Sequence, residues 1–292
     1  MEEIVYLNGS FVPHSKAFIS INDHALLYGY GVFQGIRAYN GKLFLLDRHI
    51  KRLHDAAKVI GLEWKIADID FEKICNEVLA VNKLTSARVR ITVTNGINAA
   101  MPWVDAGGEP TIIATAKNYI PVPEDKYNAG YKVGIASVRR VKQSPFSTIK
   151  STDYLLSVVA RMEAASKGWD EAVLLNDEGF IAEGGSGNIF FVREGRLITP
   201  ATNSGIIPGV TREAVIELAD SLGVTVGEGP VGIGAIKKSD EIFLTNANIE
   251  VMPVTEVRDD KGGAAVIGNG KPGKITRQLM QAYREMVAKE TR

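Results

Sequence analysis

The chain has 292 residues, 34 Lys and Arg against 34 Asp and Glu, 45% hydrophobic residues and one cysteine. That length fits about two domains of roughly 150 residues, with a core that needs no staples. Zero net charge argues against a nucleic-acid binder, the lone Cys75 excludes an intrachain disulfide, and no apolar run reaches the roughly 18 residues of a membrane span.

The acidic start MEEIVYLNGSF carries no signal-peptide pattern, so a cytoplasmic protein is expected. IVYLNGSFVP and GIRAYNGKLFLL each place Asn-Gly between apolar residues, which predicts two hairpins turning at Asn8-Gly9 and Asn40-Gly41. DRHIKRLHDAAKVIGL changes to a helical period, with Asp47 as cap, Leu53, Ala57 and Ile60 on one face, and Gly61 as stop. A second helix follows in FEKICNEVLAVNKL, where Cys75 reads as a buried, inert thiol. SARVRITVTNG and PTIIATAKNYI read as strands. The proline-containing stretch YIPVPEDKYNAGY is the best linker. Beyond it, YKVGIASVRRV opens a new strand set. TDYLLSVVARMEAASKG is a helix ended by Gly168, and EAVLLNDEGFIAEGGSGNIFFVREGRLITP is a run of strands. TREAVIELADSLG is a helix capped by Thr211, SDEIFLTNANIEVMPVTEV a strand and loop, and KITRQLMQAYREMVAK a closing amphipathic helix. Strands and helices mix without strict alternation, so the expected class is α+β in two domains: a smaller one at 1–118, a loop at 119–130, and a larger one at 131–292.

His14, His24, His49 and His54 are the only histidines, and no Cys/His cluster exists, so no metal site is expected. Three other features carry chemistry. Lys150 lies just before a predicted helix. Partial desolvation and the helix dipole there favour a neutral amine for Schiff-base chemistry, although a lone lysine is ordinarily a solvated charge. Glu183 ends a strand at a Gly-Gly-Ser-Gly turn, where a carboxylate can meet a protonated pyridine nitrogen or simply face water. Pro208-Gly209 leads into a helix start at Val210-Thr211, whose amides suit a phosphate as readily as an ordinary cap. Arg52 can add a positive partner for that phosphate. Together these are the parts that pyridoxal 5′-phosphate requires.

The ordered segments HALLYGYGVFQGIRAY, DRHIKRLHDAAK, IKSTDYLL, EAVLLNDEGFIAEGGSGNIF, IIPGVTREAVIELA and EIFLTNANIEVMPV resemble the class IV aminotransferases, the fold-type IV pyridoxal-phosphate enzymes. The resemblance spans nearly the whole chain. It implies that Lys150 binds the cofactor covalently and then moves the proton between the substrate Cα and the cofactor carbon. It implies that Glu183 pairs with the pyridine nitrogen. Arg52, the backbone of Val210 and Thr211, and the loop at Ala247 would hold the phosphate. Tyr154 would approach the ring's phenolic oxygen, and Tyr28 and Phe33 would line the substrate pocket. It further implies a homodimer, with residues such as Tyr28 reaching a neighbour's site, and amino acids and 2-oxo acids as substrates, with glutamate and 2-oxoglutarate as one pair.

The substrate-reading positions depart from the family's usual patterns. Branched-chain enzymes carry Tyr-x-Arg where this chain has Arg88-Val89-Arg90. D-amino acid enzymes carry Thr-Arg-Gly where it has Thr94-Asn95-Gly96. The common Phe-Glu-Gly becomes Phe33-Gln34-Gly35, and Gly-Thr-Ala becomes Asn246-Ala247-Asn248. Arg88 and Arg90, two apart on a strand, share a face and suit carboxylate recognition. That pair puts a non-standard D-amino acid transaminase first, a branched-chain L-amino acid transaminase second and an aminodeoxychorismate lyase third.

Overall fold

The computed structural model describes residues 2–98, 108–259 and 263–292. By their contacts they divide into two units, Met1–Ile120 with Ile149–Tyr154 and Val287–Arg292, and Pro121–Thr148 with Leu155–Met286.

The first unit is built on an antiparallel sheet. Its strands are β1 (Ile4–Leu7), β2 (Ser10–Pro13), β3 (Gly31–Tyr39), β4 (Lys42–Leu43), β5 (Ala87–Thr94) and β6 (Thr111–Asn118), in the order β2-β1-β6-β5-β3-β4. Both hairpins form where Asn-Gly predicts them. Asn8 and Gly9 take φ of 46° and 90°, and Asn40 and Gly41 take 52° and 78°, the positive values that a two-residue turn between twisted strands needs. The helices are α1 (His24–Tyr28), α2 (Leu46–Val59) and α3 (Phe71–Val81). Leu53 and Ala57 of α2 and Ile74, Cys75 and Val78 of α3 pack with Val89, Ile91 and Val93 of β5 into one core. Period-two alternation then turns Arg88, Arg90 and Thr92 to the opposite face. Burial pushes the Cys75 thiol up to about 12, which makes it inert.

Asp47 does not cap α2. The helix begins after Leu45, whose φ of 52° is left-handed, and no side chain caps it. Asp47 lies in the first turn, where its charge favours the helix dipole.

The second unit carries a mixed sheet. Its strands are β7 (Tyr131–Arg140), β8 (Glu171–Asn176), β9 (Phe180–Gly184), β10 (Asn188–Arg193), β11 (Arg196–Pro200), β12 (Val226–Gly229), β13 (Val231–Gly232), β14 (Glu241–Asn246), β15 (Glu250–Arg258) and β16 (Ala264–Val266). The order is β12-β11-β10-β14-β15-β7-β8-β9-β13, with β16 on β15. The helices are α4 (Glu124–Ala129), α5 (Leu155–Ser166), α6 (Val210–Ser221), α7 (Gly234–Lys238) and α8 (Lys274–Glu290). Ala160 and Ala164 of α5 pack with Ala136, Ala172 and Leu174, and a Cβ on Gly134 would lie 2.0 Å from the Trp169 ring. Small residues there let helix and sheet approach closely.

Several local expectations need correction. Residues 124–129 of the expected loop form α4. The expected strand and loop at 239–257 is a hairpin, β14 pairing with β15. Thr211 lies inside the first turn of α6, and Gly209 is the cap. Lys150 is not at a helix start. It lies in an extended segment that keeps company with the first unit, and α5 begins only at Leu155. Among the described residues no helix is long and apolar enough to cross a membrane.

Candidate active site

In the first unit, Phe33, Gly35 and Arg37 of β3 pair with Thr92, Arg90 and Arg88 of β5, so these six share the face turned away from the helices. Residues 149–154 run beside the start of β3. The Phe33 amide donates to the Lys150 carbonyl at 2.9 Å, and the Thr152 amide donates to the Gly31 carbonyl at 2.8 Å. That brings Lys150 Nζ to 4.7 Å from the centre of the Phe33 ring and 4.8 Å from that of Tyr154. The two rings meet edge to face at 5.4 Å. The Arg90 guanidinium stacks over Phe33 at 3.7 Å. Burial, and then the neighbouring charge of Arg88, pull Arg90 below the usual guanidinium value. The two arginines are therefore electrostatic neighbours, as their spacing predicts. Arg88 is exposed and lies over Gly35, where a Cβ would stand 3.5 Å from its Nε.

Arg52 points back from α2 to β3. Its Nη2 and Nε both donate to Gln34 Oε1, at 2.6 and 3.1 Å. His49, one turn earlier on α2, is buried, and its Nδ1 has no hydrogen-bond partner. Burial first, and then the positive Arg52 and Lys150, hold this imidazole well below the usual histidine value, so it is neutral near pH 7. Gln34 Nε2 is likewise buried and without a hydrogen-bond partner. Sequence reasoning finds Arg52 but neither Gln34 nor His49 as its companions. Only the pairing of a helix with a strand 18 residues earlier reveals them.

Tyr28 closes α1, about half exposed, with its ring edge-on to His24 at 5.3 Å. The Thr94-Asn95-Gly96 turn has a structural task. Buried Asn95 accepts from Lys65 Nζ at 2.8 Å through Oδ1 and meets His24 Nδ1 at 2.9 Å through Nδ2, which ties down the start of α1.

In the second unit, Glu183 pairs with Leu174 across β8 and β9 and is only 4% exposed. Arg140 Nε stands 3.3 Å from its Oε1, and the Ile207 amide donates to its Oε2 at 3.1 Å. Arg140 is itself fixed by the carbonyls of Gly205, at 2.8 Å, and of Ser147. A cation and an amide on the carboxylate offset the cost of burying its charge. Asn188 Nδ2 donates to the Ile207 carbonyl at 2.8 Å, which leads the chain into α6. A Cβ on Gly209 would meet Asn188 Oδ1 at 2.1 Å, so a side chain at that cap would have to push the Asn188 amide aside. No side chain caps α6, and Val210 and Thr211 begin it with buried side chains. Asn246 Oδ1 accepts the amides of Asn248 and Ile249 at 2.8 and 3.0 Å, which sets Ala247 at the tip of a tight turn.

These residues fit pyridoxal phosphate. Lys150 offers an amine against aromatic rings. Glu183 offers a buried anion held in place by other groups. Arg52, with the buried unpartnered Nε2 of Gln34, in the first unit, and the uncapped start of α6 in the second, are each by their own chemistry donors suited to a phosphate.

Residues 31–257 match the family model for class IV amino-transferases. The chain is 38% identical, over 98% of its length and 96% of the relative's, to a protein of Methanocaldococcus jannaschii that carries the provisional name of a branched-chain-amino-acid aminotransferase. It is 30% identical to the aminodeoxychorismate lyase of Bacillus subtilis, over 97% of this chain and 94% of that one. Among solved structures, the branched-chain amino acid aminotransferase of Escherichia coli superposes with a TM-score of 0.88 at 29% identity. The match covers 100% of this chain and 97% of that one. A second branched-chain amino acid aminotransferase, that of T.th., is known with two ligands. With pyridoxamine 5′-phosphate it gives a TM-score of 0.88 at 31% identity, and with N-(5′-phosphopyridoxyl)-L-glutamate 0.86 at 30%, each covering 100% of this chain and 96% of that one.

Proposed function

Since this chain belongs to the class IV aminotransferases and works with pyridoxal phosphate, we propose that it exchanges amino groups between branched-chain L-amino acids and 2-oxoglutarate. The observation that carries the transaminase chemistry is Lys150 Nζ poised over the Phe33 and Tyr154 rings. Bound pyridoxal phosphate supplies an aldehyde for amines and a ring that withdraws electrons from the substrate Cα. Lys150 would hold the cofactor through its amine, and its Nζ, once free, would hold and move the substrate Cα proton. Glu183 keeps a proton on the ring nitrogen. Arg52, the amides of Val210 and Thr211 and the turn at Ala247 hold the phosphate. Tyr154 would stand near the phenolic oxygen of the ring. Phe33 and Tyr28 form the apolar wall for the side chain, and Arg88 and Arg90 take carboxylates.

The order of substrates expected from sequence changes here. The branched-chain names of the Methanocaldococcus, Escherichia and T.th. relatives favour that reading over the D-amino acid one. The glutamate adduct of the T.th. enzyme supports L-glutamate as a partner. The D-amino acid reading rests on Arg88 and Arg90 as an alternative carboxylate trap.

The test adds L-leucine, L-glutamate, D-alanine and D-glutamate separately to the yellow holoenzyme and follows the absorbance of the lysine-bound cofactor. Loss of the band with L-leucine and L-glutamate supports the proposal, and loss with D-substrates alone replaces it with the D-amino acid reading. Turnover of aminodeoxychorismate without any 2-oxo acid would favour the lyase. The proposal includes a homodimer, supported by the exposed apolar stripe of Leu155, Val158, Val159 and Met162 along α5, and keeps the cytoplasmic location expected from sequence.

A further inference from the structure

Glu171 opens β8 and is 5% exposed, a buried carboxylate outside the chemistry of Lys150 and Glu183. Its Oε1 accepts the Ala172 amide at 2.9 Å, its Oε2 accepts the Ser186 hydroxyl, and the exposed Arg161 of α5 brings Nε to 3.7 Å from Oε2. Ser186 lies in the turn that runs from Glu183 to Asn188. Asn246 Nδ2 donates to the Ser186 carbonyl and hydroxyl at 3.2 and 3.3 Å. The two backbones press together there, since a Cβ on Gly187 would lie 2.4 Å from the Thr245 carbonyl oxygen. Asn246 Oδ1 in turn accepts the amides of Asn248 and Ile249 at 2.8 and 3.0 Å.

This chain of bonds has one direction. A carboxylate only accepts, so the single hydroxyl proton of Ser186 goes to Glu171 and its lone pairs are left for Asn246. That sets the NH2 end of the Asn246 amide towards Ser186 and its oxygen towards the two amides of the turn. Of the three amides from Ala247 to Ile249, that of Ala247 is the one that Asn246 does not take.

We propose that Glu171 is a positioning residue for the Ala247 turn, and through it for the cofactor phosphate, acting by way of the Ser186 hydroxyl and the Asn246 amide. This rests on the reading that the Ala247 turn holds the phosphate. Methionine at position 171 has a similar length and no carboxylate. The Ser186 proton then loses its destination, and the Asn246 amide loses the fixed acceptor that orients it. Alanine at position 186 removes the hydroxyl and breaks the same chain one step later.

The test uses the full chain and has two readouts. Amide hydrogen exchange of the segment 246–249 is compared among wild type, Glu171→Met and Ser186→Ala. Each is also stripped of cofactor and titrated with pyridoxal phosphate and with pyridoxal, which lacks the phosphate, the lysine-bound absorbance band giving the affinity. Both variants are expected to exchange about tenfold faster in that segment. They are expected to weaken pyridoxal phosphate by about three- to tenfold, the loss of one hydrogen bond, and to leave pyridoxal nearly unchanged. Ser186→Ala carries the test if Glu171→Met does not fold. Unchanged exchange in Ser186→Ala would mean that the turn stands without this chain of bonds, and would overturn the proposal. Faster exchange with no loss of pyridoxal phosphate, or with equal loss of both ligands, would take the turn out of the phosphate site, and the proposal would fall with that reading. A wild type that binds pyridoxal as tightly as pyridoxal phosphate would remove the phosphate reading itself and the proposal with it, a failure that the exchange rates keep separate.

Discussion

Glu183 already answers to two groups before any substrate arrives, the Arg140 guanidinium at 3.3 Å and the Ile207 amide at 3.1 Å. Both offset the burial of its charge and fix where that charge lies. Its replacement by glutamine therefore changes the electronics of a bound ring more than the anchoring of that ring. Glu183→Gln is expected to slow Cα proton transfer by roughly a hundredfold or more while changing cofactor affinity far less. Rapid mixing with L-leucine, set beside a cofactor titration, separates the two, and equal losses would contradict the role. Arg88 is exposed beside the stacked Arg90, and it should act on carboxylates generally. Arg88→Ala is expected to raise KM by about ten- to a hundredfold for every α-carboxylate substrate. A rise confined to glutamate and 2-oxoglutarate would assign Arg88 to the side-chain carboxylate instead. His49 sets a pH limit. Its folded-state value is depressed by burial and by Arg52 and Lys150, so as pH falls below about 6.5 the unfolded chain takes up a proton that the folded chain refuses. Stability is thus expected to fall in that window and to be unaffected by this group above it. Thermal unfolding between pH 5 and pH 8 (roughly the range in which histidine titrates) should show a flatter profile in His49→Gln. An unchanged slope would mean that His49 is not the group responsible.

At the scale of elements, the loop from Ile206 to Gly209 is locked at three points. Ile207 is tied to Glu183 by its amide and to Asn188 by its carbonyl, and Gly209 stands where a Cβ would be 2.1 Å from Asn188 Oδ1. Gly209→Ala must therefore displace the Asn188 amide and with it the bond that holds the Ile207 carbonyl. It is expected to cost about 1–3 kcal/mol of stability and to weaken cofactor binding, read by thermal unfolding and titration together. A variant that keeps both would show that the loop has slack. The same loop marks where sequence reasoning ends. Asn8-Gly9 and Asn40-Gly41 are legible because a two-residue turn is written in the residues that make it. The strand pattern of β5, with valine and isoleucine inward and two arginines outward, is legible for the same reason. Three other features depend on distant partners. Leu45, not Asp47, precedes α2 in a left-handed conformation, and nothing in its own sequence announces it. The Asn246 turn that joins β14 to β15 reads locally as a loop, because the antiparallel partner that makes it a hairpin lies beyond it. Lys150 looks like the residue before a helix, yet it is held by β3, more than a hundred residues earlier in the chain. Lys150, Glu183 and Arg52 could be named from residue type and order. Gln34, His49 and Arg140, which decide how those groups behave, are visible only through register.

For the whole molecule, the question is what covers α5. Leu155 and Met162 are each 66% exposed, and Val158 and Val159 lie between them at helical spacing. Such a stripe on an isolated chain is unfavourable and is the usual mark of an interface. Met162→Glu is expected to shift the chain from dimer to monomer in light scattering at micromolar concentration while leaving its helical circular dichroism intact. A dimer that survives this substitution would place the interface elsewhere. The hydrogen bonds from the Phe33 amide to the Lys150 carbonyl and from the Thr152 amide to the Gly31 carbonyl pin the main chain immediately after the Lys150 side chain. The amine can therefore change tasks by rotating its own torsions, and no segment of backbone must move with it. Rotamer changes of that kind take picoseconds to nanoseconds, whereas loop and domain motions take microseconds or longer. The reorientation of the freed amine, as distinct from the breaking of its bond to the cofactor, is thus far too fast to limit turnover. Solvent viscosity should therefore act on the entry of substrate and the departure of product rather than on the reorientation of Lys150.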